Sequence, residues 1–272
     1  IGVPKTQPSI VLPGGQLMLT TDVENYPGFP EGVTGPDMMQ KFREQAERFG
    51  TRVLDADVES CDFSGPPHRL TLSNGDVVDA ESVIISTGAT ANWLGLDNEM
   101  RLATSGGGVS ACAVCDGALP MFRDQPVAVV GGGDTAMEDA LVLARTSASV
   151  VLIHRRDTFR ASKVLQQAVL AHNKITVMWN STVKEFKGGE SGMLATVVVE
   201  NVADPANVTE LAAEAAFVAI GHIPNTWLFK GQLEMTSTDY LVTRAGSTHC
   251  SIPGVFAAGD VADWVYRQAV TS

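Results

Sequence analysis

Cysteine is scarce in this chain: four residues in 272, at Cys61, Cys112, Cys115 and Cys250. So few exclude a secreted scaffold held together by disulfides. Long apolar runs are missing as well, and none approaches the roughly 18–20 residues of a membrane-spanning helix. Positive charge is in deficit, with 19 Lys and Arg against 31 Asp and Glu and a formal net charge of −12. That balance argues against nucleic acid or an anionic membrane as a partner. Aromatics make up only 6%, while 44% hydrophobic residues and 26 glycines suit a soluble α/β protein. No signal peptide opens the sequence, and a chain starting at Ile1 is expected to have lost its true start. The length suffices for one large or two ordinary domains. There is no internal repeat or low-complexity tract.

One stretch organises what is there. An apolar run at 127–130 meets Gly131-Gly132-Gly133-Asp134-Thr135-Ala136, and a helical pattern follows to about residue 146. A second apolar run at 150–153 leads into His154-Arg155-Arg156-Asp157-Thr158-Phe159-Arg160. The order strand, glycine turn, helix, strand is half of a doubly wound nucleotide-binding unit. Gly131 permits the tight turn, Gly133 lets the backbone approach a pyrophosphate, and Ala136 keeps helix and strand close. Thr135 and Glu138 are spaced as a capping box, which would start the helix where its amides face phosphate.

The end of the second strand selects the coenzyme. An acidic residue there would bind the ribose 2′-hydroxyl of NAD. This chain offers Arg155, Arg156 and Arg160, whose guanidinium forks match a 2′-phosphate. Three solvated surface arginines are the plainer alternative; the spacing favours NADPH.

The second chemical feature is Cys112-Ala113-Val114-Cys115-Asp116-Gly117. Thiols so spaced can close a small disulfide, a geometry that often lowers one thiol pKa towards ~7. Zinc would need a second cysteine pair, and Cys61 and Cys250 stand alone. Asp116 is placed to shuttle a proton, although an exposed capping carboxylate is the ordinary alternative. Because NADPH delivers a hydride and thiols exchange by other chemistry, a flavin is the expected converter.

Elsewhere the pattern predicts a loop over 1–13 and a helix over 35–49, with Met38, Met39, Phe42, Ala46 and Phe49 on one face. Strands are expected at 52–54, 69–72 and 77–78, around a Ser73-Asn74-Gly75-Asp76 hairpin turn, and a buried strand at 83–85. A helix at 162–172 and strands at 176–178, 195–200, 217–220 and 255–258 complete the reading.

The cysteine motif, the glycine turn and the segment from His154 to Ala161 together resemble the low-molecular-weight NADPH-dependent thioredoxin reductases, which are flavoprotein disulfide reductases. Gly221-His222-Ile223-Pro224-Asn225, Gly254-Val255-Phe256-Ala257-Ala258-Gly259-Asp260 and Tyr266-Arg267-Gln268-Ala269 fit the same family. The similarity runs in order from Gly14 to Ser272. It implies an α/β fold of two doubly wound nucleotide-binding domains, of three-layer ββα/βαβ type. A split FAD domain (1–93 and 223–272) would carry an inserted NADPH domain (95–220) that bears the redox pair.

The resemblance also implies the site. FAD would be held by Gly14, Gly15, Gln16, Asn25, Thr87, Gly88, Ala89, Gly259, Asp260, Arg267, Gln268 and Ala269. NADPH would be held by Gly131, Gly133, Asp134, Thr135, Ala136, His154, Arg155, Arg156, Arg160, Ile220 and Gly221. Cys112, Cys115 and Asp116 would be catalytic, with no metal. The implied partner is thioredoxin or a thioredoxin-like protein, and the implied protein is a cytoplasmic homodimer, with plastid and mitochondrion left open.

One departure stands out. The family opens with a βαβ unit and a glycine turn that have no counterpart before Gly14, and it continues past Ser272. A fragment truncated at both ends is therefore expected. Three alternatives remain open: a module of a thioredoxin-fused enzyme, a peroxiredoxin-directed one, or an NADPH-binding fragment without FAD. Since the disulfide and the nicotinamide must both reach one flavin, the insert is expected to rotate. Residues 94–98 and 221–224 are the expected hinges.

Overall fold

The computed structural model describes residues 14–19, 22–23 and 25–271. The loop expected over 1–13, and Ser272, lie outside the described residues.

After a 3-10 helix at Gly15–Leu19, β1 (Asp22–Val23) and β2 (Val33–Thr34) pair antiparallel. Thr34 caps α1 (Gly35–Arg48), its hydroxyl accepting from the Asp37 amide at 3.2 Å, with Pro36 in the first turn. Met38 is buried, but Phe49, expected on the same face, is 75% exposed. The helix stops at Arg48, so Phe49 leaves the helical face and lies under the Arg48 guanidinium at 4.7 Å.

β3 (Val58–Asp62), β4 (His68–Leu72) and β5 (Val77–Ala80) form an antiparallel meander, turning at the expected hairpin where Gly75 has φ +87°. The strand expected at 52–54 is absent: those residues are exposed and pair with nothing among the described residues. β3 escaped notice because its sequence, Val-Glu-Ser-Cys-Asp, carries little apolar alternation. β6 (Val83–Ile85) and β7 (Ala89–Ala91) follow.

α2 (Glu99–Thr104), β8 (Val109–Ser110) and α3 (Ala113–Asp116) then lead into β9 (Pro126–Gly131) and α4 (Asp134–Leu143). β10 (Ser149–Ile153), α5 (Lys163–Leu170) and β11 (Ile175–Met178) complete the run. β12 (Ser181–Gly188), β13 (Leu194–Asn201) and β14 (Val208–Ala212) make a second antiparallel meander before β15 (Ala215–Ala219) returns to the sheet. The five parallel strands lie in the order β11-β10-β9-β15-β8. Residues of α4 such as Ala136, Met137, Ala140 and Leu143 cover one face, and Phe186, Leu194, Val197 and Val199 of the meander cover the other. Covered on both faces, β9 and β15 can be almost wholly apolar. This is the expected three-layer arrangement.

The chain leaves through β16 (His222–Pro224), antiparallel to β7, and ends near β17 (Val255–Ala257), parallel to β6. A third core of Phe63, Ile85, Phe229, Leu241 and Val255 lies there. In β6 Ile85 joins that core and Val83 packs against it, whereas Ile84 points the opposite way and is 70% exposed, against the expectation of a buried strand.

Candidate functional site

The glycine turn is built by three different constraints. At Gly131 a β-carbon would lie 2.4 Å from the Ala219 carbonyl oxygen and 2.7 Å from the Ala136 methyl, where β9, β15 and α4 meet. At Gly132 it would strike the His154 ring. At Gly133 it would meet nothing within 4 Å, and Gly133 caps α4 without any side-chain bond. The expected capping box is therefore not formed: the helix begins two residues early, and Thr135 lies inside its first turn. Uncapped amides facing open space are what an approaching phosphate requires.

His154 is buried, its Nδ1 3.0 Å from the Gly131 carbonyl oxygen and its Nε2 2.9 Å from that of Thr158. It braces the turn against the arginine segment and shapes the coenzyme cradle from beneath. The Arg160 amide donates to Gly132 O at 2.9 Å and the Ser162 amide to the Asp134 carboxylate at 2.7 Å. Those two bonds fasten the segment to the head of α4. Trp179 packs against Phe159 with ring centroids 4.3 Å apart and the planes tilted by 44°, a support that sequence reasoning missed. Its only signal was an aromatic at a strand end. Arg155, Arg156 and Arg160 are exposed, and none forms an ion pair among the described residues. They are free to meet a phosphate. Ile220 and Gly221 follow directly on β15, at the carboxyl edge of the parallel sheet where nucleotides bind.

Cys112 and Cys115 form a disulfide, Cα atoms 5.3 Å apart, at the start of α3. Cys112 Sγ accepts from the Cys115 amide at 3.2 Å. The Ser110 hydroxyl donates to the Asp116 carboxylate and accepts from the Cys112 amide at 3.0 Å, so the acid is held beside the pair. Gly117 lets α3 sit on α4: a β-carbon there would lie 2.5 Å from Leu143 Cδ2. On its other side α3 lies against β1. Cys61 and Cys250 are unpaired and half-buried, and burial pushes both thiols up, away from reactivity.

The expected flavin residues also converge. The Gln16 amide donates to Ala89 O at 3.4 Å, and the Asn25 amide donates to the Gln268 side-chain oxygen at 2.9 Å. Thr87 and Asn225 exchange bonds of 2.7 and 2.8 Å; Asn225 is a further residue of this cluster. Gly15 and Gly88 take left-handed backbone, φ +62° and +66°, with open space where a side chain would stand. The Ala258 amide bonds Ile85 O, and Gly259 and Asp260 follow at the end of β17. Open backbone bordered by amides and hydroxyls fits a flavin dinucleotide. Arg267 alone points elsewhere, towards His222 and Thr135.

The two passages of chain between the sheets run side by side, the Asn92 amide donating to Gly221 O at 2.9 Å. The amides of Leu94, Gly95 and Leu96 donate to the buried Glu99 carboxylate at 3.0, 2.8 and 3.3 Å. Much of the segment expected as a hinge is thus bolted to α2, and the narrow point of the crossing is the Asn92–Gly221 contact. Beside it, burial pushes the His222 imidazole down to about 4, helped by Arg267. Burial pushes the Asp139 carboxyl up to about 7, outweighing the nearby Arg267 guanidinium, and Glu138 adds to the rise.

The family model for pyridine nucleotide-disulphide oxidoreductases matches residues 9–272. A thioredoxin reductase of Arabidopsis thaliana is 51% identical over 267 residues, covering 96% of this chain and 69% of its own length. Thioredoxin reductase from Giardia duodenalis superposes with a TM-score of 0.86 at 38% identity, covering 94% of this chain and 82% of its own. That of Lactococcus lactis in its FR conformation gives only 0.59 at 36% identity, covering 95% and 82%. On these matches, and on the cradle, the disulfide and the flavin residues above, the chain belongs to the pyridine nucleotide-disulphide oxidoreductases and, within them, to the thioredoxin reductases.

Proposed function

We propose that this chain moves an electron pair from NADPH to the Cys112–Cys115 disulfide and on to the disulfide of a thioredoxin. One observation carries the reading: the disulfide lies on a helix between α4, which heads the nucleotide cradle, and β1 on the flavin side. On this reading residues 95–220 hold NADPH and the redox pair, and residues 1–93 and 223–272 hold FAD. FAD, when bound, converts the hydride of NADPH into the electron pair that opens a disulfide.

NADPH would rest its pyrophosphate on the amides after Gly133 and its 2′-phosphate on Arg155, Arg156 and Arg160. Gln16, Asn25, Thr87, Gly88, Gly259, Asp260 and Gln268 would hold FAD. Opening the Cys112–Cys115 bond takes two electrons and one proton and leaves a thiol and a thiolate, and Asp116, held by Ser110, relays that proton. One thiolate then attacks a sulfur of the thioredoxin disulfide, forming a mixed disulfide and expelling a thiolate. The remaining cysteine attacks that mixed bond, re-forming Cys112–Cys115 and releasing reduced thioredoxin.

Cys112→Ser or Cys115→Ser in the flavin-loaded protein should abolish thioredoxin reduction while NADPH still bleaches the flavin. Wild-type turnover in either variant would overturn the assignment. The finer reading of a homodimer in the cytoplasm rests on the family alone and is tested by sedimentation and by cell fractionation. Among the described residues no helix is long and apolar enough to cross a membrane.

A further inference from the structure

We propose that Arg267 is a positioning residue for this reaction: it latches α4 to the flavin side and so holds the disulfide away from thioredoxin until released. The inference rests on the reading above, in which the Cys112–Cys115 pair serves two partners in turn.

Arg267 reaches across the molecule. It follows β17, beside Gln268 with its bond to Asn25, yet its guanidinium leaves that cluster. One nitrogen donates to His222 Nδ1 on β16, at the crossing; the other donates to Thr135 Oγ1 at 3.4 Å, in the first turn of α4. Thr135 and Asp139 stand four apart in α4 and share a face. Asp139 is 7% exposed and accepts no hydrogen bond among the described residues, so the Arg267 charge is the favourable interaction it has. That attraction offsets the repulsion a cation meets at a helix N-terminus. Arg267 also takes a left-handed backbone, φ +49°, which a non-glycine residue holds only where its surroundings repay the strain. Two acceptors on separate elements suit the planar fork of arginine and not the single ammonium of lysine.

The latch lies on the helix that carries the redox pair. α3 packs on α4 through Ala113 and Gly117, while its other side meets β1. The flavin side therefore grips α4 twice, once through β1 and α3 and once through Arg267. If α4 swings away, both grips break together, and the half-buried cysteines become accessible. Arg267 makes no hydrogen bond to either cysteine, so an effect of Arg267 on their accessibility reports the arrangement and not the thiol chemistry.

The test is alkylation of the reduced pair in the flavin-loaded protein, without NADPH, using a phosphine reductant and N-ethylmaleimide with mass-spectrometric readout. Arg267→Met should raise the rate at Cys112 and Cys115 about 3- to 10-fold, with Arg267→Lys intermediate. Thr135→Val, which touches the contact from the other element, should raise it less, and the double variant should match Arg267→Met alone. Unchanged rates in both single variants, or additive effects in the double one, overturn the latch. Should Arg267→Met lose its flavin, Thr135→Val and His222→Phe decide the matter by the same readout. The assay needs no turnover with thioredoxin, so it fails independently of the redox assignment tested by the cysteine variants.

Discussion

The ring of His154 fills the space that a side chain at Gly132 would need: a β-carbon built there lies 2.1 Å from the imidazole Cε1. A carbonyl oxygen lies within 3.0 Å of each ring nitrogen, so whichever nitrogen carries the proton donates to one, and swinging the ring aside would forfeit that bond. Gly132→Ala should therefore cost about 1–3 kcal/mol by overpacking. A melting temperature lowered by roughly 2–10 °C, with weaker NADPH binding, is the expected outcome. Unchanged melting would refute the brace.

Coenzyme choice should follow the exposed arginines. A charge-assisted bond to the 2′-phosphate contributes about 1.5–3 kcal/mol. Arg156→Ala should weaken NADPH roughly 10- to 150-fold and barely alter NADH. Titration with both coenzymes checks it, and equal losses would mean that Arg156 does not face the phosphate.

Asp139 and His222 give opposite pH slopes. Asp139 keeps its proton in the native state up to about 7, against an ordinary value of 3.8. Between those values the unfolded chain has lost a proton that the native one retains, so stability falls as pH rises, by roughly 3–4 kcal/mol over the window. His222, near 4 in the native state and 6.5 otherwise, refuses a proton that the unfolded chain takes up. Its contribution is complete above the unfolded value and is lost as pH falls towards the native one, on the order of 3 kcal/mol. Asp139→Asn should make stability climb more steeply from pH 4.5 to 6.5 than in the parent, and His222→Asn should tilt it the other way. Urea midpoints at four pH values measure this, and parallel profiles for parent and Asp139→Asn would reject it.

Glu99 anchors the entry to the parallel-sheet unit through three backbone amides. Glu99→Gln turns one acceptor into a donor facing those amides and should cost about 1.5–3 kcal/mol. Calorimetry should show lower melting, while NADPH affinity at 15 °C stays as before. A large loss of NADPH affinity at that temperature would place Glu99 in coenzyme binding instead.

Much of this was legible before the fold. The apolar runs at 127–130 and 150–153, and the turn between them, depend on neighbours in sequence, and they appear as β9, α4 and β10 with small shifts in boundary. Local expectations failed where the partner is distant. Phe49 is exposed because the helix ends beneath it, 52–54 finds no strand to pair with, and Ile84 faces away from the core. The capping box failed for a tertiary reason as well. Gly133 takes the cap position, and the Thr135 hydroxyl meets Arg267, a residue far along the chain.

By itself the sequence determined the chemistry: a glycine turn, a basic segment and a Cys-x-x-Cys pair are contiguous motifs whose meaning lies in residue type and spacing. Only the tertiary structure decided which groups meet. It set His154 under Gly132, Glu99 on three amides, the disulfide between α4 and β1, and Arg267 on the coenzyme helix. Spacing along a chain specifies what neighbouring side chains can do, whereas which groups meet depends on how the elements turn and pack, and spacing alone does not encode that.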